Sequence, residues 1–209
     1  MQMTEPTELL IVEGRSAEQA LKSVVARRFQ SVLAMQGKVP NAERVTADRL
    51  TNNPACQRLF EHLGCGTGVH CHPDDLRFDR LILVSDGDID GLHAQALLLS
   101  VFRHYLTPLV ASGRVMTVTC PVYAIRTPPT EDNTGATDGN AGVDDAWVTR
   151  YAWSEHEQRR HLASMADPAN ARISYIKGIA SLPPDECHTL LVNPATRLTR
   201  PLTLTAVSD

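Results

Sequence analysis

Short apolar runs that stop at acidic residues alternate along this chain with longer segments of helical periodicity. Glu8-Leu9-Leu10-Ile11-Val12 is too brief for a helix and halts at Glu13-Gly14, as a buried parallel strand does. Ser16 then precedes Gln19 by three positions, a capping-box spacing. Ala17, Leu21, Val24 and Val25 share one helical face, with Lys22 and Arg27 elsewhere. The opening therefore predicts strand, tight turn and helix, with a carboxylate at the strand's end. Residues 41–63 read as helix in pieces, broken at Asn52-Asn53-Pro54, and 64–73 as a loop rich in Gly, Cys and His. A second buried strand is expected over Arg80–Ser85, running into Asp86-Gly87-Asp88-Ile89-Asp90-Gly91. A long apolar helix follows over 92–111 and ends near Gly113.

Residues 115–125 are β-rich, with Pro121 at an edge or an end. The segment 127–146 is polar, rich in Gly and Asp, and expected to be a mobile loop. Beyond it the pattern gives a strand over 147–153, a helix over 154–165, a strand over 172–176, a helix over 183–192 and a closing strand over 202–207. No internal repeat is visible.

Composition narrows this picture rather than redrawing it. The hydrophobic fraction of 43% over 209 residues suits one packed domain, or one domain with a small annex. No apolar run approaches the roughly 18 residues of a membrane span. The first residues, MQMTEPTE, lack the basic-then-apolar pattern of a secretory signal. Five scattered cysteines, an odd number, fit reduced thiols and a cytoplasmic location better than a disulfide scaffold. A net charge of −4 excludes indiscriminate coating of nucleic acid, while a local basic face survives that average.

The chemistry lies where the strands end. If both lie parallel in one sheet, Glu13 and the Asp86, Asp88, Asp90 group share the edge where open α/β sheets bind ligands. Alternation along an extended segment lets Asp86 and Asp88 point into one pocket. Crowded carboxylates repel, and a hard divalent ion such as Mg²⁺ relieves the repulsion. The three carboxylates of Glu13, Asp86 and Asp88 are thus expected within reach of one ion. The plainer reading is a polar turn capping a helix. A calcium loop does not fit, because its twelfth position from Asp86 is Leu97 rather than Glu. Cys65, His70, Cys71 and His72 have zinc-ligand chemistry but no standard finger spacing. Lys22, Arg27, Arg28, Arg44 and Arg49 form either a basic face or ordinary scattered surface charge. Trp147 and Trp153 read as packing residues.

Ile11-Val12-Glu13-Gly14 and Asp86-Gly87-Asp88-Ile89-Asp90-Gly91, each at a strand end, resemble a Toprim domain, the fold of topoisomerases, bacterial primases and some nucleases. Further stretches resemble the B subunits of type IIA topoisomerases, gyrase and topoisomerase IV. Arg28-Phe29-Gln30 with residues 36–43 resembles RFQ…RGKxLNVE, and residues 63–68 resemble LGCGIG. Asp90-Gly91-Leu92-His93, Leu97-Leu98-Leu99 and Pro121-Val122-Tyr123 resemble DGSH, TLLL and PPLY. Residues 175–178 and 193–197 resemble YKGLGEM and DPETR, so the likeness runs in order along nearly the whole chain.

That resemblance implies an α/β fold: a Rossmann-like central parallel sheet flanked by helices, with a small α+β annex. It implies a Toprim domain over 1–126, the flexible loop 127–146, and a tail over 147–209. Glu13 would act as metal ligand and acid–base group, Asp86 and Asp88 as ligands, and Asp90 as a weaker partner. The ion would be Mg²⁺, with Mn²⁺ as a substitute. Lys38, Arg28 and Lys177 would lie beside DNA, and His93 near the cleavage site. Partners would be DNA, an A-type subunit carrying the nucleophilic tyrosine and a separate ATPase subunit, with no membrane. The departures are specific: EGDSAGG is Glu13-Gly14-Arg15-Ser16-Ala17-Glu18-Gln19 here, and Leu92 and Gln95 replace a Ser and an Arg. Arg15 could neutralise part of the acidic group. Tyr105, Tyr123, Tyr151 and Tyr175 are expected inside core elements, leaving no nucleophile in this chain. A diverged binding module and a stand-alone nuclease remain as competing readings.

Overall fold

A computed structural model describes residues 6–128, 147–165 and 167–204. The elements run β1 (Glu8–Val12), α1 (Arg15–Lys22), β2 (Gln30–Ala34), α2 (Ala47–Thr51), α3 (Pro54–Leu63), β3 (Arg80–Ser85), α4 (Ile89–Tyr105) and α5 (Thr107–Ala111). They continue β4 (Val115–Thr119), β5 (Tyr123–Thr127), β6 (Val148–Ala152), α6 (Glu155–Ala163), β7 (Arg172–Tyr175), α7 (Pro184–Cys187) and β8 (Arg200–Pro201).

The principal sheet has the order β2-β1-β3-β4-β8, with its first four strands parallel and β8 antiparallel on β4. The continuous apolar runs of β1 and β3 follow from this, because both faces are covered. Leu9, Ile11, Leu81 and Leu83 join a core with Leu59 and Phe102 on one face. Leu10, Val12, Ile82 and Val84 pack with Leu21, Leu191 and Val192 on the other. A smaller antiparallel sheet, β6-β5-β7, stands beside it. The two sheets exchange strands along the chain: β5 is central in the second, whereas β8, from the tail, edges the first. Among the described residues no helix is long and apolar enough to cross a membrane.

Several expectations are corrected. The strand expected over 115–125 is two, split at Cys120-Pro121: Cys120 donates to Ser85 in the first sheet and Val122 to Ala152 in the second. The long helix begins earlier, at Ile89, and breaks at Leu106, after which Pro108 sits in the first turn of α5 and cannot supply the missing N–H. β2 was not foreseen. Its Ser31 is exposed, as an edge strand allows, so no continuous apolar run announces it. The closing strand is only Arg200–Pro201; residues 202–204 are irregular, and 205–207 lie outside the described residues. From residue 129 to 146 the expected loop also lies outside them, while Thr127 ends β5. Tyr175 is not covered: it is 55% exposed on β7, its ring set edge-on to Tyr123.

Candidate functional site

β1 and β3 are adjacent and parallel, with Ile11 level with Leu83. Both strands therefore deliver their following residues to one edge, Glu13 two residues beyond Ile11 and Asp86 three residues beyond Leu83. Asp88 is the N-cap of α4, its Oδ1 accepting the Gly91 N–H at 2.7 Å. The plain capping reading of this turn thus holds for Asp88, beside any other role. Asp90 follows in the first helical turn, and Lys38 reaches across to it, Nζ to Oδ1 3.0 Å. The structure so brings Glu13, Asp86, Asp88, Asp90 and Lys38 to the same edge. The cation that meets the acids is Lys38 rather than Arg15, which is exposed.

Asp86 is held from the tail. Its Oδ1 accepts the Ile179 N–H at 2.7 Å, a contact across 93 residues. Two glycines make room for it. A Cβ on Gly91 would lie 2.6 Å from the Asp86 carbonyl oxygen, and one on Gly178 would lie 2.8 Å from Oδ1. Gly178 also has φ 151°, which side chains rarely tolerate. The likeness of residues 175–178 to a family motif marked this glycine; nothing in the local pattern showed that it closes on Asp86.

The acids share one electrostatic field. Partial burial pushes the Glu13 carboxyl above the usual carboxylate range; Lys38 pulls it down, and the charges of Asp86, Asp90 and Asp88 push it up. Burial likewise raises Asp86, against the Ile179 hydrogen bond and with help from Asp88. The hydrogen bond to Asp90 raises the Lys38 ammonium.

The expected convergence of three carboxylates on one point is not met. Among the described residues no group of three or more His, Cys, Asp or Glu side chains is close enough to hold a metal ion. Asp86 turns to Ile179, Asp88 to its own helix and Asp90 to Lys38, and mutual repulsion favours such separate partners. The Cys65, His70, Cys71, His72 loop forms no such group either.

The remaining residues fall in different places. His93 is exposed on α4, and Lys177 is exposed one residue before Gly178. Arg28 precedes β2, whose first residue pairs with Glu8, so it stands at the opposite edge of the sheet from Glu13. It is not brought to the acids. Trp153 is partly buried, its indole N–H donating to the Thr119 carbonyl at 2.7 Å.

The carboxyl edge opens into a cleft of about 320 Å³, lined by Glu13, Lys38, Asp86 and Ile179 among others. The Toprim domain family model matches residues 8–118, the stretch that holds both acidic strand ends. The DNA gyrase B subunit of Thermotoga maritima is 33% identical over 193 residues, 92% of this chain and 27% of that protein. The DNA gyrase B subunit of Metamycoplasma arthritidis is 30% identical over 92% of the chain. The DNA topoisomerase 4 B subunit of Staphylococcus aureus is 30% identical over 93% of the chain and 27% of that protein. The chain therefore spans little more than a quarter of the length of these relatives.

Proposed function

The chain belongs to the Toprim domain family, and from that premise we propose that it is the Mg²⁺-binding part of a type IIA topoisomerase cleavage core. One observation carries the reading: Glu13 and Asp86 follow adjacent parallel strands into one cleft that Lys38 also lines, with Asp88 and Asp90 next along the chain and Lys38 paired to Asp90. The donor set suits Mg²⁺ (or Mn²⁺), which is held by one or two carboxylates and keeps several waters. Glu13 accepts no hydrogen bond from the described residues, and Asp86 and Asp88 each keep an oxygen beyond the one already engaged. When bound, the ion would stabilise charge on the oxygens of a phosphodiester. Glu13, raised by burial and by its neighbours, would take or return a proton near neutrality more readily than an ordinary glutamate. Lys38 and Lys177 would lie along DNA phosphates, and His93 on the exposed face of α4 would reach the broken strand. DNA, an A-type subunit with the tyrosine and an ATPase part are the partners this reading requires.

A second reading is favoured by the Lys38–Asp90 pair and by the open ligand set: a diverged module that binds DNA or topoisomerase partners without cleavage. Metal and an A-type subunit separate the two. Mg²⁺ should raise the unfolding free energy, by about 2.7 kcal/mol at one hundred times Kd, and Asp86→Ala with Asp88→Ala should remove the gain. The A-type subunit and plasmid DNA should then yield Mg²⁺-dependent strand breaks that Glu13→Gln abolishes. No melting shift and no breaks would favour the module. Metal-dependent nicking by the chain alone, lost in Glu13→Gln, would replace both readings by a nuclease.

A further inference from the structure

The connection that follows β2 lines the cleft at the acidic edge with three exposed residues, Gln36, Gly37 and Lys38. Both of its ends are fixed. Met35 is buried and donates its N–H to the Val12 carbonyl at 2.8 Å, and Val39 is buried in the core beside it. Between those anchors the backbone is strained. Gln36 has φ 42°, and among the described residues no other non-glycine has a positive φ; Gly37 follows at φ 113°. Glycine, asparagine and aspartate visit this region far more readily than glutamine does. Such a conformation persists only where its surroundings over-determine it, and strain of this kind gathers at functional positions.

The restraint comes from α3. Arg58 Nη1 donates to Gln36 Oε1 at 2.7 Å, and Nη2 donates to the Ala34 carbonyl at 3.0 Å. One guanidinium therefore ties the last residue of β2 to the first residue of the strained turn. Its rigid fork of donors suits a two-point bridge, which a single ammonium does not reproduce. Two residues past Gln36, Lys38 Nζ meets Asp90 Oδ1 at 3.0 Å. Lys38 is the only lysine or arginine lining the cleft among the described residues, and Arg58 does not line it. Arg58 therefore reaches the acids only through the turn.

We propose that Arg58 is a positioning residue: by bridging Ala34 and Gln36 it holds the strained turn in the conformation that sets Lys38 against Asp90. The placement stands on the hydrogen bonds and the backbone alone. What the placed lysine serves rests on the metal-site reading above, where it sets how much negative charge the acidic edge keeps for an ion.

Competitive acetylation of the folded full chain reads the placement, because an amine must leave its carboxylate to react. The chain has three lysines, Lys22, Lys38 and Lys177, so mass spectrometry can compare Lys38 with two internal references. Asp90→Asn removes the partner and should raise Lys38 labelling by roughly two- to fivefold, the range of an exposed ion pair. Arg58→Met should approach that limit, with Lys22 and Lys177 at parental rates and a thermal melt showing a folded chain. Arg58→Lys should release Lys38 as fully, because it keeps the charge and loses the bridge. On the Asp90→Asn background, Arg58→Met should add nothing.

Parental protection of Lys38 in Arg58→Met or in Arg58→Lys would overturn the proposal. So would a rise shared equally by all three lysines, which is general loosening, or a further rise on the Asp90→Asn background. No rise in Asp90→Asn itself would also overturn it, since Lys38 would then not be held by Asp90 in solution. A missing Mg²⁺ melting shift beside release of Lys38 in Arg58→Met would sink the metal reading and leave this one standing.

Discussion

Two glutamates bracket β1, and they live in opposite surroundings. Glu8, at the start of the strand, is 1% exposed and fully engaged. Arg197 Nη1 donates to its Oε2 at 2.9 Å, Arg197 Nη2 to its Oε1, and the Gln30 amide to Oε2 at 2.9 Å. Gln30 and Arg197 both also donate to the Val192 carbonyl, which ties the tail to the sheet. Glu13, one residue past the other end, lies half-exposed among Asp86, Asp88 and Asp90 with Lys38 opposing them. The same side chain is therefore structural at one end and available for chemistry at the other. A closed shell of donors fixes a charge in place, whereas unpaired neighbouring charges keep one responsive to protons and cations.

The comparison breaks most severely at the closed end. Arg197→Ala would leave the Glu8 carboxylate buried without its counter-charge, with only the Gln30 amide still donating to it, at a cost of about 3–5 kcal/mol, which a urea unfolding midpoint would register. Because Arg197 also carries the tail, the loss should come with exposure of α7 to proteolysis. An unchanged midpoint would show that the buried pair anchors nothing.

A smaller effect is expected at the open end. Gly178→Ala would strain a backbone at φ 151° and press a methyl onto the Asp86 carboxylate, at a cost of about 1–3 kcal/mol. It should also weaken any Mg²⁺-dependent gain in melting temperature, since Asp86 must move. A variant as stable as the parent would mean that the tail does not position Asp86.

The smallest effect is the most diagnostic of the difference. Glu13 is raised in the folded state, so the native protein holds its proton to higher pH than the unfolded chain does. Its ionisation therefore destabilises the fold as pH rises from its usual value of 4.5 through the raised one, and the penalty is relieved as pH falls. Asp86, raised from 3.8, acts in the same direction. Without metal, melting temperature should climb as pH drops from neutral toward 4.5, and Glu13→Gln should flatten that slope. A parent slope of the opposite sign would mean that the acids are better satisfied in the fold than their surroundings indicate.

Much of the acidic edge was legible because strand and acid adjoin in the chain. An apolar run halting at Glu13, and another halting at Asp86, needed only the rule that parallel strands open their carboxyl ends together. The capping role of Asp88 was visible in the same way, as one of the two readings of its turn. The break at Leu106 had a local signal, Thr107-Pro108, that the apolar run around it concealed. β2 had a weaker one, because Ser31 interrupts its apolar positions.

What each acid does with its charge was not written locally. The sequence by itself determined the α/β alternation, the two acidic strand ends and the edge they share, since periodicity and punctuation act over a few residues. Only the tertiary structure decided that Glu8 would be neutralised by a residue 189 positions away and that Asp86 would be held by one 93 positions away. Among the described residues, it alone left Ser85 Oγ and Gln95 Nε2 buried without a hydrogen-bond partner. Glu8 and Glu13 carry the same carboxyl group at the two ends of one strand, and their difference comes from donors that only the folded chain brings within reach.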